Sequence, residues 1–226
     1  DKEKSGKGKR RKGRRRLIAQ AREKLCYDKG RNTMGKYNEE RGYFTKSSRP
    51  RTSPWQDEQG YFFDKSLCGG LLGFFREEGG SVVDLGCGSG SYTRYLRDNE
   101  IDCDCYDGNP HTESMTDGLC KCLDISKKIN IKTYDWVMAL EVGEHIPKEY
   151  EDNFIHNLHI HSKKGIVVTW AVKGQGGIGH VNCQNNDYIK KIFAKLGYSN
   201  DIKAETELRA VSQVRWFKNT IMIFKK

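Results

Sequence analysis

Apolar and polar positions divide the chain into two unequal regions. From Ser81 onward, short apolar runs alternate with amphipathic stretches, the pattern of strands and helices in a parallel, doubly wound sheet. Strands are expected at Ser81–Leu85, Asp102–Asp107, Trp136–Leu140 and Gly165–Trp170, with helices near Ser91–Asn99, Lys148–Leu158, Asn186–Leu196 and Asp201–Val211. The end of the chain, VRWF-KN-TIMIF, reads as two strands joined at Lys218-Asn219. Upstream, Phe62, Phe63, Leu67, Leu71, Leu72, Phe74 and Phe75 recur at helical spacing, and Gly79-Gly80 ends that helix. Leu17, Ile18, Ala21 and Leu25 predict an earlier helix stopping at Gly30. The polar stretch Arg31–Pro54 between them reads as an arm or lid without a core of its own. The expected organisation is a tail over 1–16, a helix and arm over 17–60, and one domain over 61–226.

Charge sharpens that division. Residues 1–16 hold ten Lys or Arg against two acids, so they carry +8 of the chain's formal +10, and the remainder is near neutral. Such a tail binds polyanions by counterion release, which makes RNA or a ribonucleoprotein a candidate partner; a solvated extension or localisation signal is the plainer reading. No apolar run is long enough to span a bilayer, so no membrane partner is expected, and the basic start lacks the apolar run of a signal peptide. An intracellular, cytoplasmic protein is expected, with nucleus or organelle as the alternative that the tail raises. Most of the eight cysteines read as reduced thiols; the pairs Cys103/Cys105 and Cys120/Cys122 lack the C-x₂₋₄-C spacing of a typical zinc turn.

The chemistry concentrates after the first strand. In SVVDLGCGSGSYTRYL, Val82 and Val83 lead into Asp84, then Gly86, Cys87, Gly88, Ser89 and Gly90, then a helix. Glycines let a backbone approach a ligand, and the amides of the helix start point at it. A bare glycine motif is compatible with NAD or FAD. Asp84, however, stands two positions before the first glycine, where a carboxylate repels pyrophosphate and suits a cationic amino group. Asp107 closes the second strand in DCYDGNP, placed to accept ribose hydroxyls, and Asp124-Ile125 offers a carboxylate and an apolar cover for adenine.

These motifs resemble the class I S-adenosylmethionine-dependent methyltransferases over roughly Tyr61 to the C-terminus. VVDLGCGSG is similar to the family's first motif, Asp107 to its ribose-binding acid, and YDWVMALEVGEHIP to its fourth motif. The resemblance implies a Rossmann-like α/β fold of seven mostly parallel strands, order 3-2-1-4-5-7-6, strand seven antiparallel, with helices on both faces. It implies S-adenosylmethionine as cofactor. Asp84, Gly86, Cys87, Gly88, Ser89 and Gly90 would surround the methionine part, Asp107 and Asn109 the ribose, and Asp124 and Ile125 the adenine. Glu141 and Val142 would lie beside the cofactor.

The acceptor side is expected from Glu141-Val-Gly-Glu144-His145, where positions i, i+3 and i+4 share a helical face, and from WAVKGQGGIGHVN. Gly174, Gly176, Gly177 and Gly179 suggest a loop bending over the site mouth with His180 and Asn182 turned inward. His180 is the leading general base, with His145 and Glu144 as the other catalytic candidates. The plain reading of E-V-x-E-H-I-P is helix capping and cofactor positioning, so the motif does not call for a metal. Were magnesium bound, Glu141, Glu144, His145 and His180 would be its ligands, a set that resembles the one in small-RNA 2′-O-methyltransferases. Trp55, Tyr61, Phe62 and Phe63 either close over the cofactor or pack a helix on the sheet; packing is favoured for Phe62 and Phe63. The expected reaction is methyl transfer to an O or N nucleophile of a small molecule, with an RNA-directed activity as the alternative.

Overall fold

The computed structural model describes residues 37–46 and 53–226. The basic tail and the helix expected up to Gly30 lie outside the described residues. The first element is a small antiparallel hairpin, β1 (Tyr37–Asn38) and β2 (Tyr43–Phe44). Helix α1 (Lys65–Glu78) is started by the Asp64 side chain, which accepts from the Leu67 amide, and is stopped at Gly79. Strands and helices then alternate: β3 (Val82–Leu85), α2 (Ser91–Asp98), β4 (Cys103–Asp107), α3 (Thr112–Met115), β5 (Lys121–Cys122) and β6 (Tyr134–Ala139). After a single 3₁₀ turn at Lys148–Tyr150 come α4 (Glu151–His161), β7 (Ser162–Val168) and α5 (Asn186–Lys195). The chain ends with β8 (Ser199–Asn200), α6 (Ile202–Val211), α7 (Phe217–Thr220) and β9 (Met222–Lys225).

Strands β3 to β9 form one sheet in the order β5-β4-β3-β6-β7-β9-β8. Numbered within that sheet this is the expected 3-2-1-4-5-7-6, and β9 runs antiparallel to both neighbours. Both faces are buried, as parallel strands require. On one face Val83, Leu85, Val137, Ile166 and Val168 meet Phe154 and Leu158 of α4 and Ile189 and Phe193 of α5. On the other, Val82, Trp136, Met138 and Val167 meet Leu67, Leu71 and Phe75 of α1, Leu96 of α2 and Leu208 of α6.

Two expectations are corrected. The C-terminal pair of strands is not formed: Phe217–Thr220 is helical and only Met222–Lys225 is a strand. Val214, Phe217 and Ile221 are all buried in the second core cluster, and their spacing of three and four residues suits a helical turn better than an alternating strand. The strand's edge partner is instead Ser199–Asn200. Second, Cys105 and Cys120 are joined in a disulfide, while Cys68, Cys87, Cys103 and Cys183 are free thiols. Among the described residues, no helix is long and apolar enough to cross a membrane.

Candidate functional site

A cleft of about 430 Å³ lies at the carboxyl ends of β3, β4 and β6, where open α/β sheets bind ligands. Its floor is the turn from β3 to α2. Gly86, Gly88 and Gly90 all have positive φ, at 88°, 57° and 73°. Space is short as well: a Cβ on Gly86 would fall 2.5 Å from the Val142 side chain, and one on Gly88 2.5 Å from the Tyr61 ring. Asp84 is buried and accepts from the Thr93 hydroxyl at 3.0 Å. Burial pushes its carboxyl up to about 7, against the lowering effect of that hydrogen bond. Asp107 is pinned by two amides at 2.8 Å, Gly88 N–H on one oxygen and Asn109 N–H on the other. Asp124 accepts from the amide and hydroxyl of Ser126 and faces Lys127 at 3.3 Å.

Asp84, Gly86, Cys87, Gly88, Ser89, Asp107, Asp124, Ile125, Glu141 and Val142 all line this cleft. Two of the expected cofactor residues do not. Asn109 is buried, donating to the Lys46 carbonyl and the Tyr61 hydroxyl, so it fixes the turn after β4. Gly90 opens α2 and backs onto the Cys120 sulfur.

At the other end of the cleft the chain turns sharply after β6. Glu141 adopts φ 55°, a left-handed conformation uncommon for a side chain of this kind, and its amide donates to Thr169 Oγ1 at 2.7 Å. The helix expected to carry Glu141, Glu144 and His145 begins later. These residues lie instead on successive turns, with the amides of His145 and Ile146 donating to the carbonyls of Val142 and Gly143. Gly143 lies flat on Trp170, where a Cβ would fall 2.3 Å from the indole. The turns still bring Glu144, His145 and His180 together, one ligand atom from each within 4.8 Å of the others.

The surroundings of this trio are unusual. Glu144 is fully buried, and neither carboxylate oxygen has a hydrogen-bond partner of sound geometry among the described residues. Burial and the adjacent Glu141 carboxylate raise it well above the ordinary glutamate range. Both imidazoles are held from behind: His145 Nδ1 lies 3.1 Å from the Gly179 carbonyl and His180 Nδ1 3.1 Å from the Gln175 carbonyl. A carbonyl only accepts, so each ring donates at Nδ1, and in the neutral form of the ring Nε2 is then the acceptor nitrogen. Burial lowers the His180 pKa, which keeps the ring neutral at pH 7. Asn182, expected to face inward, is buried elsewhere: its amide donates to Glu151 and its carbonyl accepts from the Trp170 indole. It holds the loop down and takes no place in the cleft.

The hairpin supplies a wall that sequence patterns did not reveal. Tyr37 places its hydroxyl 2.8 Å from the His145 carbonyl and 3.1 Å from that of Gly179. Phe44 stands edge-on to His145, ring centroids 5.6 Å apart, and the backbone at Gly42 lies against the His145 carbonyl. Tyr61 and Phe62 also line the cleft, Phe62 edge-on to Trp216, whereas Phe63 packs on Tyr92 as expected. Asp57, upstream of them, collects the hydroxyls of Ser89 and Ser91 at the start of α2, where a negative charge suits the helix dipole. Tyr37→Phe should cost about 1–2 kcal/mol of stability, the loss of one buried hydrogen bond. It should also raise the acceptor KM severalfold while leaving cofactor affinity unchanged, by thermal melts and steady-state kinetics.

The methyltransferase-domain family matches residues 37–201, most of the chain. The protein belongs to that family. It is an S-adenosylmethionine-dependent methyltransferase. Among solved structures it is similar to magnesium protoporphyrin IX methyltransferase (ChlM) from Synechocystis PCC 6803, at 17% identity and TM-score 0.55, covering 71% of this chain and 81% of that one. It is also similar to TehB from Haemophilus influenzae, at 16% identity and TM-score 0.52, covering 70% and 62%. Small RNA methyltransferase HEN1 aligns at 18% identity and TM-score 0.55, over 79% of this chain but 27% of that one. No curated protein sequence matches.

Proposed function

We propose that the protein transfers a methyl group to an oxygen or nitrogen nucleophile of a small molecule, held against Glu144, His145 and His180. The observation that carries this reading is that His145 and His180 line the cleft, with the buried Glu144 offering a carboxylate oxygen within 4.8 Å of both. The hairpin and the Gly174–Gly179 loop wall the cleft beside these histidines, and a cleft of about 430 Å³ suits a small acceptor beside the cofactor.

The cofactor supplies an electrophilic methyl on a sulfonium. Asp84 would receive its amino group, Asp107 the ribose hydroxyls, and Asp124 with Ile125 the adenine. The Glu141 and Val142 turn closes the floor between cofactor and acceptor. His180 Nε2 would accept the proton of the acceptor's nucleophilic atom, and His145 would hold that atom in line with the sulfonium methyl, whose bond to sulfur breaks as the methyl leaves. Most of the rate comes from this positioning.

The same residues fit a divalent cation. A buried carboxylate without a hydrogen-bond partner of sound geometry among the described residues, and two imidazoles tied through Nδ1 to carbonyls, form the donor set and outer shell that metal sites use. Glu144, His145 and His180 would hold the ion, which would polarise the acceptor oxygen; Glu141, expected with them, is not in the group whose ligand atoms lie within 4.8 Å of one another. That fit favours a second reading: a 2′-O type, RNA-directed methyltransferase, in line with the likeness to small RNA methyltransferase HEN1, with residues 1–16 gripping phosphates.

The test is transfer of labelled methyl groups to fractionated metabolites and to RNA, with magnesium and with chelator, using the full chain and a chain lacking residues 1–16. Labelling of a metabolite fraction, indifferent to the truncation, is expected. RNA labelling that falls steeply with salt and disappears on truncation would replace the first reading by the second. Absence of S-adenosylmethionine binding in calorimetry would remove both.

A further inference from the structure

Three sulfurs converge on the cofactor loop. Cys87 stands between Gly86 and Gly88, Cys105 lies in β4 opposite Asp84 of β3, and Cys120 immediately precedes β5. Their Sγ atoms all lie within 4.8 Å of one another. Cys120 presses on the loop itself, since a Cβ on Gly90 would fall 2.6 Å from its sulfur. Cys105 and Cys120 are buried and joined, whereas Cys87 is a free thiol that reaches the cleft. One sulfur comes from each of the two C-x-C pairs, whose other members, Cys103 and Cys122, are not part of the cluster.

We propose that reduction of the Cys105–Cys120 disulfide opens a binding site for one thiophilic cation of the zinc class, held by Cys87, Cys105 and Cys120 under the cofactor loop, and that oxidation closes it. Zinc–sulfur bonds of about 2.3 Å in a tetrahedron place sulfurs about 3.8 Å apart, so Cys87, within 4.8 Å of both, needs to close by about an ångström at most, while the two freed sulfurs part by about 2 Å. The set is all thiol, which selects a soft or borderline ion over magnesium. Asp84 and Asp107 act on Cys87 as negative neighbours and favour a cation there. Because Cys87 reaches the cleft, water can complete the coordination.

The chemistry balances. The disulfide takes two electrons and two protons from a dithiol reductant, which leaves as its own disulfide. The three thiols then release three protons to solvent as three sulfur–metal bonds form. A disulfide oxidant reverses this: it takes two electrons from the two buried thiolates and two protons from solvent and leaves as its own thiols, the two sulfurs rejoin, the ion is expelled, and Cys87 regains a proton. The site therefore couples the redox state of the solution to the loop that carries Gly86, Gly88 and Gly90.

The test uses the full chain, reduced and freed of reductant, titrated with cadmium while the thiolate-to-metal absorption band is followed. One equivalent is expected to develop the band, and the oxidised protein should develop none. Cys87→Ser, Cys105→Ser and Cys120→Ser should each weaken binding at least about 100-fold, and Cys103→Ser should not. The band should survive in the His145→Ala, His180→Ala double variant, which separates this site from the carboxylate–imidazole set. In unmutated reduced protein, zinc should protect these three cysteines from alkylation, as mapped by mass spectrometry. No band in folded reduced protein, an undiminished band after oxidation or in Cys87→Ser, or alkylation of all three with zinc present would overturn the proposal.

Discussion

Glu144→Gln is expected to raise the melting temperature while lowering methyl transfer by about 10²–10⁴-fold, the range of a lost acid–base or positioning group. The side chain is fully buried, neither oxygen has a hydrogen-bond partner of sound geometry among the described residues, and a second buried carboxyl, Glu141, lies beside it. Glu144 is held in its protonated form there by burial and the Glu141 carboxylate; an amide removes the cost of keeping an ionisable group in such a place and can donate to Glu141. Each kcal/mol recovered should appear as about 2–4 °C in a chain of this length. Burial raises the folded-state pKa of both glutamates, so the unfolded chain loses these protons first as pH rises. Their contribution to stability therefore falls above the ordinary glutamate range. The gain from Glu144→Gln should be largest at neutral or higher pH and vanish below about pH 4, where both states are protonated. Melts in chelator across pH 4–8, with single-turnover assays at pH 7.5, check both halves. A lower melting temperature at pH 7.5 would mean that Glu144 supports the fold, and unchanged turnover would remove it from the site.

The sheet and the cofactor end of the cleft were legible because local chemistry dictates them. The β3–α2 turn needs three positive-φ residues, and glycine is the residue that adopts that geometry without strain, so Gly86, Gly88 and Gly90 announce the turn in the sequence. The central strands are buried on both faces and read as continuous apolar runs. Two-residue strands such as Ser199–Asn200 carry no periodicity, since their position is set by pairing with β9. The wall formed by Tyr37 and Phe44 was hidden for a similar reason. A hairpin of two-residue strands has no core of its own, and its aromatic side chains find their place on His145, more than a hundred residues away. Asn182 shows the converse error. A polar residue in a glycine-rich loop pointed to the site, but Glu151 and Trp170, on other elements, offered it better partners. The turn geometry of Glu141 to His145 escaped because i, i+3 spacing is shared by helices and by consecutive tight turns.

Asp84 should make both stability and cofactor affinity depend on pH, in opposite directions. Its carboxyl titrates at about 7 in the fold, from an ordinary 3.8, chiefly because it is buried. Between those values the folded protein keeps a proton that the unfolded chain has released, so stability falls as pH rises and levels off above 7. The difference corresponds to on the order of 4 kcal/mol from this group. Asp84→Asn should flatten that part of the slope, as measured by denaturant unfolding at pH 4–8 without added cofactor. The proposed partner of Asp84 is the cationic amino group of S-adenosylmethionine, which requires the carboxylate form. Affinity should therefore tighten by about tenfold per pH unit between 5 and 7 and then level. Calorimetry in buffers of different ionisation enthalpy should register release of about one proton on binding at pH 6 and almost none at pH 8. Asp84→Asn should abolish this proton release and weaken binding by at least about 100-fold, an interaction of 2.7 kcal/mol or more by the tenfold-per-1.4 rule. A variant that bound the cofactor with wild-type affinity, or that kept the wild-type slope of stability with pH, would place the amino group elsewhere in the cleft.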